Sequence, residues 1–539
     1  MRDKRSRILL LVFLLLVTIL AFVFRFGGIR YGLPTAERQY SIHPDEFLIV
    51  ETAFDAARSF SLDVGFYNYP SLLIYLSGIF MMFGITFGGN ELADLYLYAR
   101  YAAALLGSLA VPVVCLAGAK QFGVREGVIA ALALALAPLH LMHSHFAAVD
   151  APSTLFVALT VLASAYIIKK PSAGAAVLAG AASGLAAGCK YNCALVFLCC
   201  AAALWLSEDS LARKLKLLLF AALAAAAAFL LTTPGVLVNF EGVSKAIRYE
   251  MAHTASGHSN VFEGLGSPFV FNIGFNLFTG FGSVTCFIAV AGLVLGLVRK
   301  NKYILMTAAF VVPYYILMSL SKVNFSRYML PLYPCLALYV GYALGSLFGQ
   351  GSKERTYKLF VYAVVMLFGI CIIMPARQAY GVFDRVTPQD AAGKYVRTDV
   401  RGTIGVIDYP WFYSPAYTKM CGYGTLPLRK EEFDKADMLT MLSSEDMPET
   451  VVISDYEFYD TLRLWEPSRV AENYKKLLSG MRLDYKGDDR VMELLDIISS
   501  RYKLEKTFSC GKDITLMSCP HDMCYVNPQI YVFRKNSEH

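Results

Sequence analysis

The sequence predicts a polytopic α-helical membrane protein of about eleven transmembrane helices, carrying a C-terminal extracytoplasmic α/β domain. Three observations carry that reading. Of 539 residues, 56% are hydrophobic and only 17% charged, whereas soluble domains carry about a quarter charged residues. The apolar residues come in blocks of 16 to 23 as far as Met374, close to the length that crosses a hydrocarbon core as a helix. From Pro375 onward, charges and turn residues return to soluble levels.

The blocks place spans at 8–26, 98–118, 127–142, 153–168, 173–188, 192–207, 217–233, 276–298, 303–320, 328–349 and 359–374. The apolar run of the first is too long for a typical signal peptide and no small-x-small site follows it, so an uncleaved helix is expected. With Met1 on the cytoplasmic side, the inner loops are "RDKRSR", "KQFGVRE", "KKPS", "SEDSLARKLK", "RKNK" and "QGSKERTYK". They hold seventeen of the 49 Lys and Arg, as the positive-inside rule requires. This distribution also accounts for the net charge of +7 without nucleic acid, which is excluded as a partner.

One further stretch, "YPSLLIYLSGIFMMFGITFGG" (69–89), is long enough to cross. If it did, the later loops would change sides and most basic clusters would lie outside. It is therefore read as a helix lying in the outer interface. The domains are then 1–374 in the membrane, with 27–97 forming the first outer loop and juxtamembrane helices, and 375–539 outside. The tail reads as α/β from "GTIGVID", "TVVISDYEF" and "PQIYVFRK". Eight of the twelve cysteines lie in apolar blocks as small hydrophobes. Cys421, Cys510, Cys519 and Cys524 lie in the tail, where an oxidising compartment would permit disulfides of undetermined pairing.

Ionisable groups near the bilayer are costly to keep, so each is a functional candidate. The outer face collects Asp45 and Glu46, Arg100, His143, His145 and Asp150, Lys190, His253 and His258, Lys322 and Arg327. The inner loops have cations but no comparable mixture. A bland reading exists for each: a solvated helix start for the acidic pair, snorkelling or interface anchoring for the arginines, loop or interfacial roles for the histidines. Gathered on one face, carboxylates and cations suit group transfer from a lipid phosphate. Arg and Lys would hold the phosphate, and a carboxylate, Asp45 first, would take a proton from an acceptor hydroxyl. Candidates for a divalent metal ion are Asp45, His145 and Asp150; no cofactor is required by the residues. A transporter or flippase for a lipid-linked or anionic substrate is the alternative, disfavoured by the absence of paired repeats.

These segments resemble the GT-C superfamily of membrane glycosyltransferases, in its protein-mannosyltransferase and aminoarabinose-transferase branch. "HPDE" is similar to the acidic motif of the family's first outer loop, which implies Asp45 as catalytic base with Glu46 beside it. "ARYAAALLGSLAVPVV" resembles the family's Arg-led second span, implying a phosphate contact for Arg100. "AAVDAPSTLFVAL", giving Asp150, and "GLAAGCKYN" and "SRYMLPLYP" also resemble recurrent segments. Where many relatives have Lys or His before Pro-Pro, this chain has Tyr69-Pro70-Ser71, which passes a phosphate contact to Lys190 or Arg327. The resemblance implies a polyprenyl-phosphate-linked sugar as donor and an extracytoplasmic protein, lipid or polysaccharide as acceptor, with inversion at the anomeric carbon. It further implies a bacterial or archaeal enzyme of the plasma membrane, since no loop has room for the lumenal β-trefoil of eukaryotic protein mannosyltransferases.

Overall fold

The structure is a computed structural model, and it describes residues 4–258, 262, 264–349, 355–406, 412–415, 425–427, 447–456, 489–510 and 520–536. By length and composition, eight helices can cross a membrane, and three shorter apolar helices accompany them among the described residues. The chain is an integral membrane protein. Its first helix, α1 (Lys4–Phe26), turns Ile8, Leu11, Leu15 and Leu16 outward and Val17, Ala21 and Arg25 inward. After it come α2 (Glu46–Ser59), α3 (Leu72–Phe87) and the 30-residue α4 (Leu92–Gln121), whose start is closed by a capping box between Glu91 and Asp94.

The block 127–142 is not one span. It divides into α5 (Val124–Ala135) and the short α6 (Pro138–His143), because Pro138 cannot continue an i to i−4 ladder but suits the first turn of a new helix. Beyond it lie α7 (Asp150–Lys169), α8 (Ala173–Cys189), α9 (Phe197–Leu206), α10 (Leu211–Thr232), the single turn α11 (Gly235–Val238) and α12 (Phe240–Ser256). Helix α13 (Pro268–Phe271) runs through a π-helical stretch (Asn272–Gly282) into α14 (Ser283–Val298). Then come α15 (Lys302–Leu320), α16 (Tyr333–Gly349) and α17 (Arg355–Tyr380).

Small residues set the tightest helix pair. Gly180, Gly184 and Gly188 recur every fourth residue along α8, and a Cβ at any of them would strike Ala221, Ala225 or Thr232 of α10. Lipid tails are as apolar as Leu, so close backbone approach rather than hydrophobic burial joins such helices. Gly184→Leu is expected to abolish the monodisperse peak of the purified protein on size exclusion, through overpacking against the α10 backbone; an unaltered profile would show that the seam can open without loss.

Among the described residues, four of the basic loops, 120–126, 169–172, 207–216 and 299–302, meet at one end of the bundle. There Lys302 pairs with Glu208 (3.1 Å), Arg213 donates to the Pro171 carbonyl (3.4 Å), and the Arg125 guanidinium lies 4.2 Å from the Phe348 ring centroid. At the opposite end, the close of α1, the starts of α4 and α7 and the close of α8 converge, and the tail packs there. The tail holds a mixed sheet of β1 (Ile404–Val406), β2 (Thr425–Pro427), β3 (Thr450–Ser454), β4 (Tyr502–Phe508) and β5 (Ile530–Lys535) in the order β2-β1-β3-β5-β4. The first three strands run parallel, and β5 is antiparallel to both β3 and β4. Helix α18 (Pro388–Asp399) supplies Ala392 and Val396 to a small core with Ile404, Val452, Ile530 and Val532. The tail is joined to the membrane domain by Arg38–Asp390 (2.8 Å) and by the Tyr31 hydroxyl donating to the Val526 carbonyl (2.8 Å). Cys421 and Cys519 lie outside the described residues, so the expected disulfides are not placed.

Candidate functional site

The two adjacent carboxylates of "HPDE" part company in the structure. Pro44 and Asp45 precede α2, and Glu46 is its first residue. A 100° step between neighbours on a helix sends their side chains different ways. Glu46 turns inward and is fully buried, where both its oxygens accept from Arg100 (Nε 2.8 Å, Nη2 2.7 Å) and Oε1 also accepts the Ala147 N–H (2.8 Å). The remaining guanidinium nitrogen donates to the Ile29 and Tyr31 carbonyls, and Phe146 lies against the group with its ring centroid 5.1 Å away. Arg100 is fully buried as well, so this pair binds α2, α4 and the segments after α1 and α6 into one unit.

Asp45 remains part-exposed, its side chain at 19%. Its Oδ2 accepts the Tyr69 hydroxyl (3.0 Å) and lies 3.7 Å from a guanidinium nitrogen of Arg327. Burial and the neighbouring Asp45 charge push the Tyr69 phenol well above its usual pKa, so it stays a neutral donor. The Asp45 N–H donates to His43 Nδ1 (3.1 Å), which puts the ring's own proton on Nε2. Burial, first, and then His143 and Arg327 hold His43 well below its ordinary pKa, in keeping with that neutral form.

Arg327 stands at the start of a 3-10 stretch, Ser326–Leu332, that leads into α16. Its guanidinium lies 4.0 Å from the Phe325 ring centroid and bridges Asp45 and Asp522, the latter at 3.7 Å. The segment 321–327 is tied down on several sides. Asn276 of the π-helical stretch donates to the Asn324 carbonyl (2.9 Å), Asn272 to the Asn324 side chain (3.2 Å), and the Lys322 N–H to Thr254 of α12 (2.9 Å). A widened helical turn commonly marks a functional position.

Beside this group Asp150, opening α7, pairs with Lys190, which caps α8, at 2.5 Å; both are buried. The Lys190 ammonium lies 4.9 Å from the Tyr328 ring centroid. A cavity of about 470 Å³ opens here, lined by Asp150, Lys190, Arg327 and Tyr69 and by the apolar Leu317, Met318 and Leu320 of α15. Helix α12 forms its remaining wall, with Ile247, Glu250, Met251, Thr254 and Ala255 at helical spacing on one face. Glu250 accepts from Asn68 (2.6 Å).

Of the residues singled out in the sequence, Asp45, Asp150, Lys190 and Arg327 converge on or beside the cavity, and Glu46 and Arg100 form the buried pair behind it. His253 and His258 do not line the cavity; they hydrogen-bond to each other (3.0 Å), and His258 meets Phe325, with ring centroids 5.2 Å apart. His145 does not join Asp45 and Asp150. Its two ring nitrogens face the Leu141 and Gly27 carbonyls (2.7 and 2.8 Å), and it stacks on Phe383. Among the described residues no three His, Cys, Asp or Glu side chains assemble as metal ligands. Sequence reasoning passed over Tyr69 as a donor to Asp45, His43, and above all Asp522. The signal for Asp522 was the segment "CPHDMC" in the tail, whose Cys, His and Asp read as a candidate metal site and not as a partner for an arginine.

Residues 80–237 match the dolichyl-phosphate-mannose-protein mannosyltransferase family. No curated protein matches the sequence. The fold is similar to the archaeal oligosaccharyltransferase AglB from Archaeoglobus fulgidus, in complex with an inhibitory peptide and a dolichol-phosphate. That match has a TM-score of 0.51 at 14% identity, over 86% of this chain and 71% of that one. It is also similar to ArnT from Cupriavidus metallidurans. The apo form gives 0.50 at 18% identity, over 84% and 94% of the two chains, and the form bound to undecaprenyl phosphate gives 0.50 at 14%, over 97% of each.

Proposed function

With the fold of the GT-C glycosyltransferases as the premise, we propose that this chain transfers a monosaccharide from a polyprenyl-phosphate-linked donor to an acceptor hydroxyl on the non-cytoplasmic side of a bacterial or archaeal plasma membrane. The observation that carries the reading is the cavity. It joins an apolar wall of Leu317, Met318 and Leu320, fit for an isoprenoid, to the cations Lys190 and Arg327, fit for a phosphate. The basic loops at the opposite end of the bundle support a cytoplasmic location for that end.

In this reaction Asp45 takes the proton of the acceptor hydroxyl as its oxygen bonds to the anomeric carbon. The bond from that carbon to the phosphate oxygen breaks on the opposite side, with inversion. Polyprenyl phosphate departs with the electron pair, its added charge met by Arg327 and Lys190. Tyr69 holds the Asp45 carboxylate in place and donates to the same oxygen that faces Arg327. Glu46 and Arg100 fix the loop that presents Asp45, so their contribution is architectural. Asp150 orients Lys190, and His253 and His258 lie where an acceptor would enter.

The test uses the full chain in lipid nanodiscs with a panel of polyprenyl-phosphate sugars and cell-envelope acceptors, following free polyprenyl phosphate. Release that requires both donor and acceptor supports the reading. Net movement of intact donor across a vesicle membrane, with no release, would replace it by lipid transport.

A further inference from the structure

We propose that Asp522 of the C-terminal domain is a positioning residue for the phosphate-binding arginine, so that the cavity is complete only with the tail docked. The inference rests on the glycosyl-transfer reading of the cavity and adds a second domain to it. Asp522 is 1% exposed, and its two oxygens divide their work. Oδ1 accepts the Ser326 N–H (3.0 Å) and the Ser326 hydroxyl (2.8 Å), capping the 3-10 stretch. Oδ2 accepts the Arg327 N–H (2.9 Å) and lies 3.7 Å from the Arg327 guanidinium.

The carboxylate is itself well placed by its own domain. It sits on a turn in which the Met523 N–H donates to the Pro520 carbonyl and the Asn527 N–H to the Cys524 carbonyl. Gln389 of α18 donates to the Tyr525 carbonyl (3.3 Å), and Asn527 accepts the Cys510 N–H (2.7 Å). From the membrane side, Tyr31 closes the same turn through Val526. Held this way, Asp522 competes with Asp45 for one guanidinium. Arg327 lies 3.7 Å from each carboxylate, balanced between them rather than closed on the base, with donors left for a phosphate. Without the Asp522 charge, Arg327 would close on Asp45, which both withdraws the cation from the phosphate and loads the base with a counter-ion.

Asp522→Asn keeps an oxygen for Ser326 while removing the charge that faces Arg327. Binding of undecaprenyl phosphate to the full-length protein in nanodiscs is expected to weaken about ten-fold in the folded variant, and its thermal midpoint to fall, because the new amide nitrogen cannot accept the Arg327 N–H. Ser326→Ala removes one bond to the same carboxylate without touching Arg327, and is expected to bind as wild type does. Wild-type affinity in a folded Asp522→Asn protein would overturn the inference and leave the function standing, whereas failure of the wild type itself to bind would remove the reading of the cavity. If Asp522→Asn does not fold, Asp522→Glu decides: affinity between those of wild type and Arg327→Gln supports positioning, and affinity equal to wild type refutes it.

Discussion

Asp45→Asn is expected to leave the protein folded and to reduce polyprenyl-phosphate release by roughly 10²–10⁴-fold, the usual contribution of a positioned base. Glu46→Gln, one residue on, is expected to do the reverse. The Asn side chain still accepts the Tyr69 hydroxyl and sits in a part-exposed place, so nothing buried is stranded. Glu46, by contrast, is fully buried against a fully buried arginine. Removing one charge of such a pair costs about 3–5 kcal/mol, because the other is left uncompensated. The gain from building the pair is much smaller than the loss from breaking it. Thermal melting in nanodiscs together with a release assay separates the two variants. An Asp45→Asn protein with full activity would remove Asp45 as the base, and a Glu46→Gln protein with unchanged melting would contradict the buried pair.

Arg327→Gln is expected to weaken undecaprenyl phosphate binding by about ten- to one-hundred-fold, the loss of about 1.5–3 kcal/mol that a hydrogen bond to a charged group contributes. Arg327→Lys keeps the charge and loses the planar fork, so it should fall between. The same titration on Lys190→Gln divides the phosphate between the two cations. Lys190 is already paired with Asp150 at 2.5 Å, whereas Arg327 stands at 3.7 Å from both of its carboxylates, so the larger loss should follow Arg327. Unchanged affinity in Arg327→Gln with a loss in Lys190→Gln would assign the headgroup to Lys190 alone.

The membrane architecture was legible because hydropathy and charge act over whole segments. Runs of 16 to 23 apolar residues between basic clusters leave few alternatives. The break at Pro138 was less legible: the apolar composition of 127–142 runs straight through it, and only the missing N–H stops the helix. In the tail, "TVVIS" and "IYVFRK" read as strands and are strands, while β4, "YKLEKTF", is exposed along most of its length, Leu504 included, and carries Lys503, Glu505 and Lys506 in place of a buried apolar alternation. Within the site, the sequence named the ionisable residues and could not divide their labour. That Asp45 meets Tyr69 and Arg327 beside the cavity while Glu46 faces Arg100 follows from where α2 begins, which is a matter of packing. Asp522 was hidden for a different reason: it lies 195 residues from Arg327, and no local pattern encodes a contact between domains.

The short segment 321–327 carries amides whose partners belong to different bodies. The Lys322 N–H is held by the carbonyl of Thr254 in α12, and the Ser326 and Arg327 N–H groups by the carboxylate of Asp522 in the tail. Exchange of an amide with heavy water requires its own bond to open, so one peptide carries two independent clocks. Lys322 would record how often the cavity wall lifts, and Ser326 and Arg327 how often the tail leaves its seat. Their rates, read side by side, would tell whether the two doors of the cavity swing together or apart.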